Sequence, residues 1–136
     1  MRRVLVDTGP IVAILSPSDA KHSICVDQLR ELLPPMVTCW PVLTEAAWLL
    51  RHDPAALTIL MKSFHAGPFE LAPLDSNDLA PMADILHRYR NLNLQLADAA
   101  LLHLANRDKI HAVFTLDRRD FGALRLRTGK HLEIIP

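Results

Sequence analysis

The stretch Val4-Leu5-Val6-Asp7-Thr8-Gly9-Pro10 decides the fold. Three apolar residues are cut off by an acid, and a proline follows where a first helical turn can accommodate it, so the segment reads as a buried strand feeding directly into a helix. The same unit recurs along the chain. Met36 to Trp40 is a second strand ahead of a helix opened by Pro41. Phe69 to Leu74 is a third strand or an edge strand, Ala112 to Leu116 a fourth followed by a helical turn over Asp117 to Leu124, and His131 to Ile135 a last strand. Helices fill the intervals: Ala20 to Leu33, stopped by Pro34 and Pro35; Asp53-Pro54 to His65, ended by Gly67-Pro68; and one on each side of Asn93. Strands alternating with helices of this length predict an α/β domain over residues 1–136, with a mostly parallel sheet of about five strands covered on both faces.

Apolar spacing says which helix faces are expected in the core. One stripe is Ile24, Cys25, Leu29 and Leu32, with Gln28 on the same spacing; a second is Val42, Leu43, Ala46, Ala47, Leu49 and Leu50. Leu79, Met82, Ala83, Leu86 and Tyr89 form a third, and Leu96, Ala97, Ala100, Leu101, Leu104 and Ala105 a fourth. Half of the 136 residues are apolar, enough for a core without disulfides or structural metal. Cys25 and Cys39 form no CxxC pair and read as buried, reduced thiols. Asp7 interrupts the apolar N-terminal run after three residues, and no apolar stretch approaches the ~20 residues that cross a bilayer, so a soluble, cytoplasmic protein without membrane contact is expected. With 15 basic and 15 acidic residues the net charge is zero, which removes bulk attraction for phosphate as an argument for nucleic-acid binding.

Local charge says more. In an open parallel sheet, ligands bind beyond the carboxyl ends of the strands. Asp7 ends the first strand, Asp117 follows the fourth, Glu45 lies in the first turns of the helix after the second, and Asp98 opens its own helix. At 100° per residue, Glu45 falls roughly 40° and Asp98 about 20° outside the apolar stripe of its helix, on borders where a carboxylate is partly desolvated. Each acid alone has an ordinary role, as a cap or a solvated side chain; together at one sheet edge they repel one another unless protons or hard divalent cations join them. Mg²⁺ or Mn²⁺, which take oxygen ligands and keep sites open for water and phosphate, suit such a cluster. Thr8 and Thr115 are placed to orient a carboxylate or to make a turn hydrogen bond, and Arg118 and Arg119 to meet substrate phosphate or solvent.

Four segments together resemble a PIN domain, especially its VapC-type toxin branch: the opening Val-Leu-Val-Asp7-Thr8-Gly9-Pro10, Leu-Thr-Glu45-Ala-Ala after Pro41, Leu96-Ala97-Asp98-Ala99-Ala100-Leu101, and Thr115-Leu116-Asp117-Arg118-Arg119-Asp120-Phe121. The resemblance spans the whole chain in order. It implies a PIN-like three-layer α/β/α fold and a metal-dependent endoribonuclease in which Asp7, Glu45, Asp98 and Asp117 hold Mg²⁺ or Mn²⁺ and carry catalysis. It also implies Thr8 and Thr115 as supporting hydroxyls, an RNA substrate left with 5′-phosphate and 3′-hydroxyl ends, a homodimer, and a cognate antitoxin that blocks the site. Asp120 is a peripheral member of the last motif. One departure stands out: relatives often carry extra acids where this chain has Asn91-Leu92-Asn93-Leu94-Gln95.

Two other readings have less to stand on. Asp7 as a phosphoryl-accepting nucleophile lacks a DxD pair and a lysine right after a strand; a non-catalytic scaffold that binds RNA or a partner chain would leave the acid quartet without a purpose. The seven histidines form no HxH or HxxxH pair. Trp40 and Trp48 read as core or dimer-interface anchors rather than a base-stacking platform, and Arg125, Arg127 and Lys130 as an RNA path or a polar sheet edge.

Overall fold

A computed structural model describes residues 3–32 and 35–136. Five strands, β1 (Leu5–Val6), β2 (Met36–Thr38), β3 (Phe69–Leu71), β4 (Ala112–Phe114) and β5 (Glu133–Ile135), form one sheet in the order β3-β2-β1-β4-β5, every pair parallel. Among the described residues seven α-helices connect and cover them: α1 (Thr8–Leu15), α2 (His22–Glu31), α3 (Trp40–Leu49), α4 (Pro54–His65), α5 (Leu79–Arg88), α6 (Leu96–Arg107) and α7 (Arg118–Ala123). This is the three-layer α/β/α architecture the alternation predicts. The third strand is at an edge. The end assigned to the second helix at Leu33, and the Pro34 stop after it, fall outside the described residues.

The central strands are buried on both faces: Leu5 and Val6 have no exposed surface, and Val37, Val113 and Phe114 have almost none. Leu5 sits opposite Val37 on one side and Val113 on the other. The Thr38 hydroxyl donates to the Val6 carbonyl at 2.8 Å, tying β2 to β1 at the carboxyl edge. The second and fourth strands end earlier than their apolar runs: Trp40 already begins α3, and the Thr115 hydroxyl turns to the Asp7 carboxylate and the Asp117 backbone N–H.

Direction of travel through the sheet places the crevice. From β1 the chain moves outward through β2 to β3, then returns across the sheet to β4 on the other flank of β1 and continues to β5. The order reverses between β1 and β4, so the gap beyond their carboxyl ends is where an open α/β sheet leaves room for a ligand.

The stripes are rotated in places. Ile85 packs inward on α5 while Leu79 and Ala83 face out; Ile24, Leu49 and Leu96 are likewise exposed. α6 is buried on nearly every side, including Ala99, Leu102 and His103. Its alanines let neighbouring elements approach closely, so a single stripe describes it too narrowly. Trp40 and Trp48 lie outside the core altogether.

Candidate active site

Asp7 leaves β1 in extended geometry and is 8% exposed. Its backbone N–H donates to the Phe114 carbonyl at 2.9 Å, which holds it beside the end of β4. Its carboxylate oxygen Oδ2 accepts from the Thr115 hydroxyl at 2.8 Å, and that hydroxyl accepts from the Asp117 backbone N–H at 3.0 Å. One threonine therefore fixes the Asp7 side chain and the Asp117 main chain together. Asp117 also caps α7, accepting from the Asp120 N–H at 2.9 Å. Asp98 accepts from the Gln95 N–H at 2.9 Å, which aims its carboxylate at the start of α6.

These groups converge. Asp7, Glu45, Asp98, Asp117 and Asp120 all line one polar cleft of about 280 Å³ at the reversal point of the sheet. Asp7 is buried, Glu45, Asp98 and Asp120 are half-buried, and Asp117 is exposed. Thr8, Asn93 and Gln95 supply neutral polar walls, so the amides stand inside the cleft itself. Asn93 holds a left-handed backbone at φ 53°, a conformation asparagine tolerates better than most residues; its place between two helices was the sequence signal for that turn. Leu49 also lines the cleft, which the helical stripe gave no reason to expect.

The electrostatics follow the crowding. Burial pushes the Asp7 carboxyl up to about 6, against the hydrogen bonds from Thr115 and the Thr8 backbone, and the charges of Asp98 and Glu45 push the same way. Burial also raises Asp98, helped by Asp117, Glu45 and Asp120, while the Gln95 N–H opposes the rise. Asp120 is raised by desolvation and by Asp117. Cys39, at the start of α3, is pushed up to about 11 by burial and stays a thiol.

Arg118 and Arg119 do not line the cleft. The Arg118 guanidinium donates to the Pro136 carbonyl, and the Arg119 charge acts on Asp120. Thr8 is different from Thr115: its hydroxyl oxygen is buried with no hydrogen-bond partner, at the wall of the acid cleft. An orphaned buried hydroxyl beside oxygen-only donors fits a hard cation or the water around one. Among the described residues no three His, Cys, Asp or Glu side chains stand close enough together to hold one metal ion between them.

An all-parallel sheet with an acid-lined crevice at its reversal point places the chain among the open α/β proteins whose ligand crevice lies beyond the carboxyl ends of the strands. The chain belongs to the PIN domain family, whose profile matches residues 4–125. Among characterised proteins it is similar to ribonuclease VapC26 of Mycobacterium tuberculosis, 29% identical over 138 residues that cover 98% of this chain and 100% of that one. Its fold is that of Mycobacterium tuberculosis VapC20, a sarcin–ricin loop cleaving toxin, whose crystal structure superposes with a TM-score of 0.80 at 17% identity, covering 88% of this chain and 94% of that one.

Proposed function

We propose that this chain is a VapC-type endoribonuclease that hydrolyses RNA phosphodiester bonds with Mg²⁺ or Mn²⁺, the toxin half of a toxin–antitoxin pair, working as a homodimer. The observation that carries the reading is the convergence of Asp7, Glu45, Asp98 and Asp117 on one cleft whose wall includes the unpartnered Thr8 hydroxyl. The ribonuclease name of the relative aligned over almost the whole chain supports it.

Asp7, Glu45, Asp98 and Asp117 would hold the divalent ions, with Asp120 at the margin. Bound there, such ions would supply Lewis-acid polarisation of the scissile phosphodiester, a more acidic attacking water and positive charge near the leaving oxygen. The chain's own work is positioning. Thr115 clamps the Asp7 carboxylate, the Gln95 N–H clamps that of Asp98, and the Thr8 hydroxyl is free to orient a water in the cleft. The amides of Asn93 and Gln95 can donate to phosphate or ribose oxygens without adding negative charge. No side-chain nucleophile is required.

Purified protein should cleave RNA with Mg²⁺ or Mn²⁺ and stop in EDTA. Asp7→Asn and Asp98→Asn should each lose at least ~100-fold in rate while keeping the wild-type circular dichroism spectrum. Full activity in both variants would sink the assignment. Tight RNA binding with no metal-dependent turnover would instead favour a non-catalytic scaffold.

A further inference from the structure

Between Asp84 and Asp98 the chain carries no acidic residue, although this span joins α5 to α6 at the wall of a cleft lined by five carboxylates. Its residues alternate instead. Tyr89, Leu92 and Leu94 pack against the core, while Asn91, Asn93 and Gln95 are exposed. The connection is well held: the Tyr89 hydroxyl accepts from the Arg125 N–H at 3.0 Å, the Leu92 N–H donates to the Tyr89 carbonyl at 2.9 Å, and the Gln95 N–H donates to Asp98 at 2.9 Å. Two of the three outward amides, Asn93 and Gln95, line the acid cleft.

Backbone needs account for these amides only in part. The left-handed φ of 53° suits asparagine at position 93, but glycine would serve as well. Gln95 is the N-cap of α6, a position that helices ordinarily give to serine, threonine, aspartate or asparagine. What the two share is a carboxamide, a donor and an acceptor side by side, at the wall where substrate would meet the acids.

Electrostatics selects the side of approach. Phosphates are repelled by the carboxylates, and the acid-free connection offers His87, Arg88 and Arg90, all exposed. Arg90 is steadied by its guanidinium, which donates to the His87 carbonyl at 3.0 Å. The arginines after Asp117 are already engaged, Arg118 with the Pro136 carbonyl and Arg119 with the charge of Asp120.

The choice of base follows from counting donors and acceptors. A carboxamide pairs bidentately with an amino group and the ring nitrogen beside it. Adenine alone has an amino group flanked by acceptors on both sides, N7 and N1, so two amides can each take one edge of an unstacked adenine. Cytosine offers one such edge, and guanine and uracil turn carbonyl oxygens toward a cleft already rich in acceptors. Leu49, on the cleft wall and 54% exposed, and Leu96, next to Gln95 and 50% exposed, supply apolar surface for the face of a purine. We infer that Asn93 and Gln95 are specificity-determining residues that read an adenine beside the scissile phosphate of single-stranded RNA. The inference deepens the ribonuclease reading and rests on it.

The test gives the full chain, with Mg²⁺, a random-sequence pool of short single-stranded RNA, and the new ends are sequenced. Adenine should exceed each other base by about tenfold at one position next to the cut. Asn93→Gly, which suits the left-handed backbone, and Gln95→Ser, which suits the N-cap, should each reduce that preference several-fold while keeping the wild-type circular dichroism spectrum. Cleavage without an adenine preference, or a preference that survives both substitutions, would overturn the inference and leave the ribonuclease reading intact. If no RNA is cut, that reading fails and fluorescence anisotropy decides this one. An oligouridine carrying one central adenosine should bind wild type more tightly than plain oligouridine, and Asn93→Gly should bind the two alike; equal binding by wild type would overturn the inference.

Discussion

At Asp7, the position proposed to hold metal is costly for folding. Its carboxyl titrates at about 6 in the folded chain against an ordinary 3.8, so the fold favours the protonated form. The stability this contributes is complete below about pH 4 and is lost as pH rises through about 6. Asp7→Asn removes the charge while keeping an acceptor for Thr115. In metal-free buffer at pH 7.5 the variant should therefore unfold at higher denaturant concentration, by up to about 3 kcal/mol, with no gain at pH 4. Added Mg²⁺ should raise the melting temperature of wild type and leave the variant where it was; a variant no more stable than wild type at pH 7.5 would show that burial is not the dominant cause. Asp7 was legible in the sequence because it ends an apolar run. Its partner was only half legible, since Thr115 could be named as a hydroxyl near the acids but lies 108 residues away. Nothing local distinguished Thr8, with no partner, from Thr115, with two.

Elements hold the acids in place through packing the sequence shows less clearly. The buried His103 on α6 meets Asp78, at the start of α5, with Nε2 2.7 Å from Oδ1, and Arg107 donates to the same oxygen at 3.0 Å and to the Pro73 carbonyl at 2.9 Å. The His103 hydrogen bond, then the Asp75 backbone and the Arg107 guanidinium, hold Asp78 down at about 2. For a lowered carboxyl the sign reverses: its contribution is complete above about pH 4 and is lost as pH falls toward 2. Asp78→Asn should lower the melting temperature at pH 7 and flatten its decline between pH 4 and 2, as thermal scans across that range would show. An unchanged acid limb would mean that the three groups do not act together. The histidine pattern gave no hint of this cluster, because its members are 25 and 29 residues apart and share no motif. The borders that carry Glu45 and Asp98 could be read from helical angles, whereas Leu49 and Leu96 could not, since a stripe shows which residues can be buried and not which ones find a neighbour.

Across the whole molecule, zero charge is a cancellation. Residues 1–65 carry six basic and six acidic side chains, 66–102 two and five, and 103–136 seven and four, giving 0, −3 and +3. Four of the acids are the proposed metal ligands, so two bound Mg²⁺ ions would leave a complex of charge +4. RNA affinity should then rise on adding Mg²⁺ and fall with salt, log K dropping by roughly 0.7 per tenfold salt for each phosphate contacted. Fluorescence anisotropy with a phosphorothioate RNA checks this, and equal affinity in EDTA would refute it. The order of the sheet has a further consequence. β1 finds its inner neighbour β4 only after more than a hundred residues have been made, and Asp117 comes later still. A nascent chain that stops short of the fourth strand holds Asp7, Glu45 and even Asp98 without Thr115, the clamp on Asp7, and without Asp117, so the proposed metal site is incomplete until that strand has emerged.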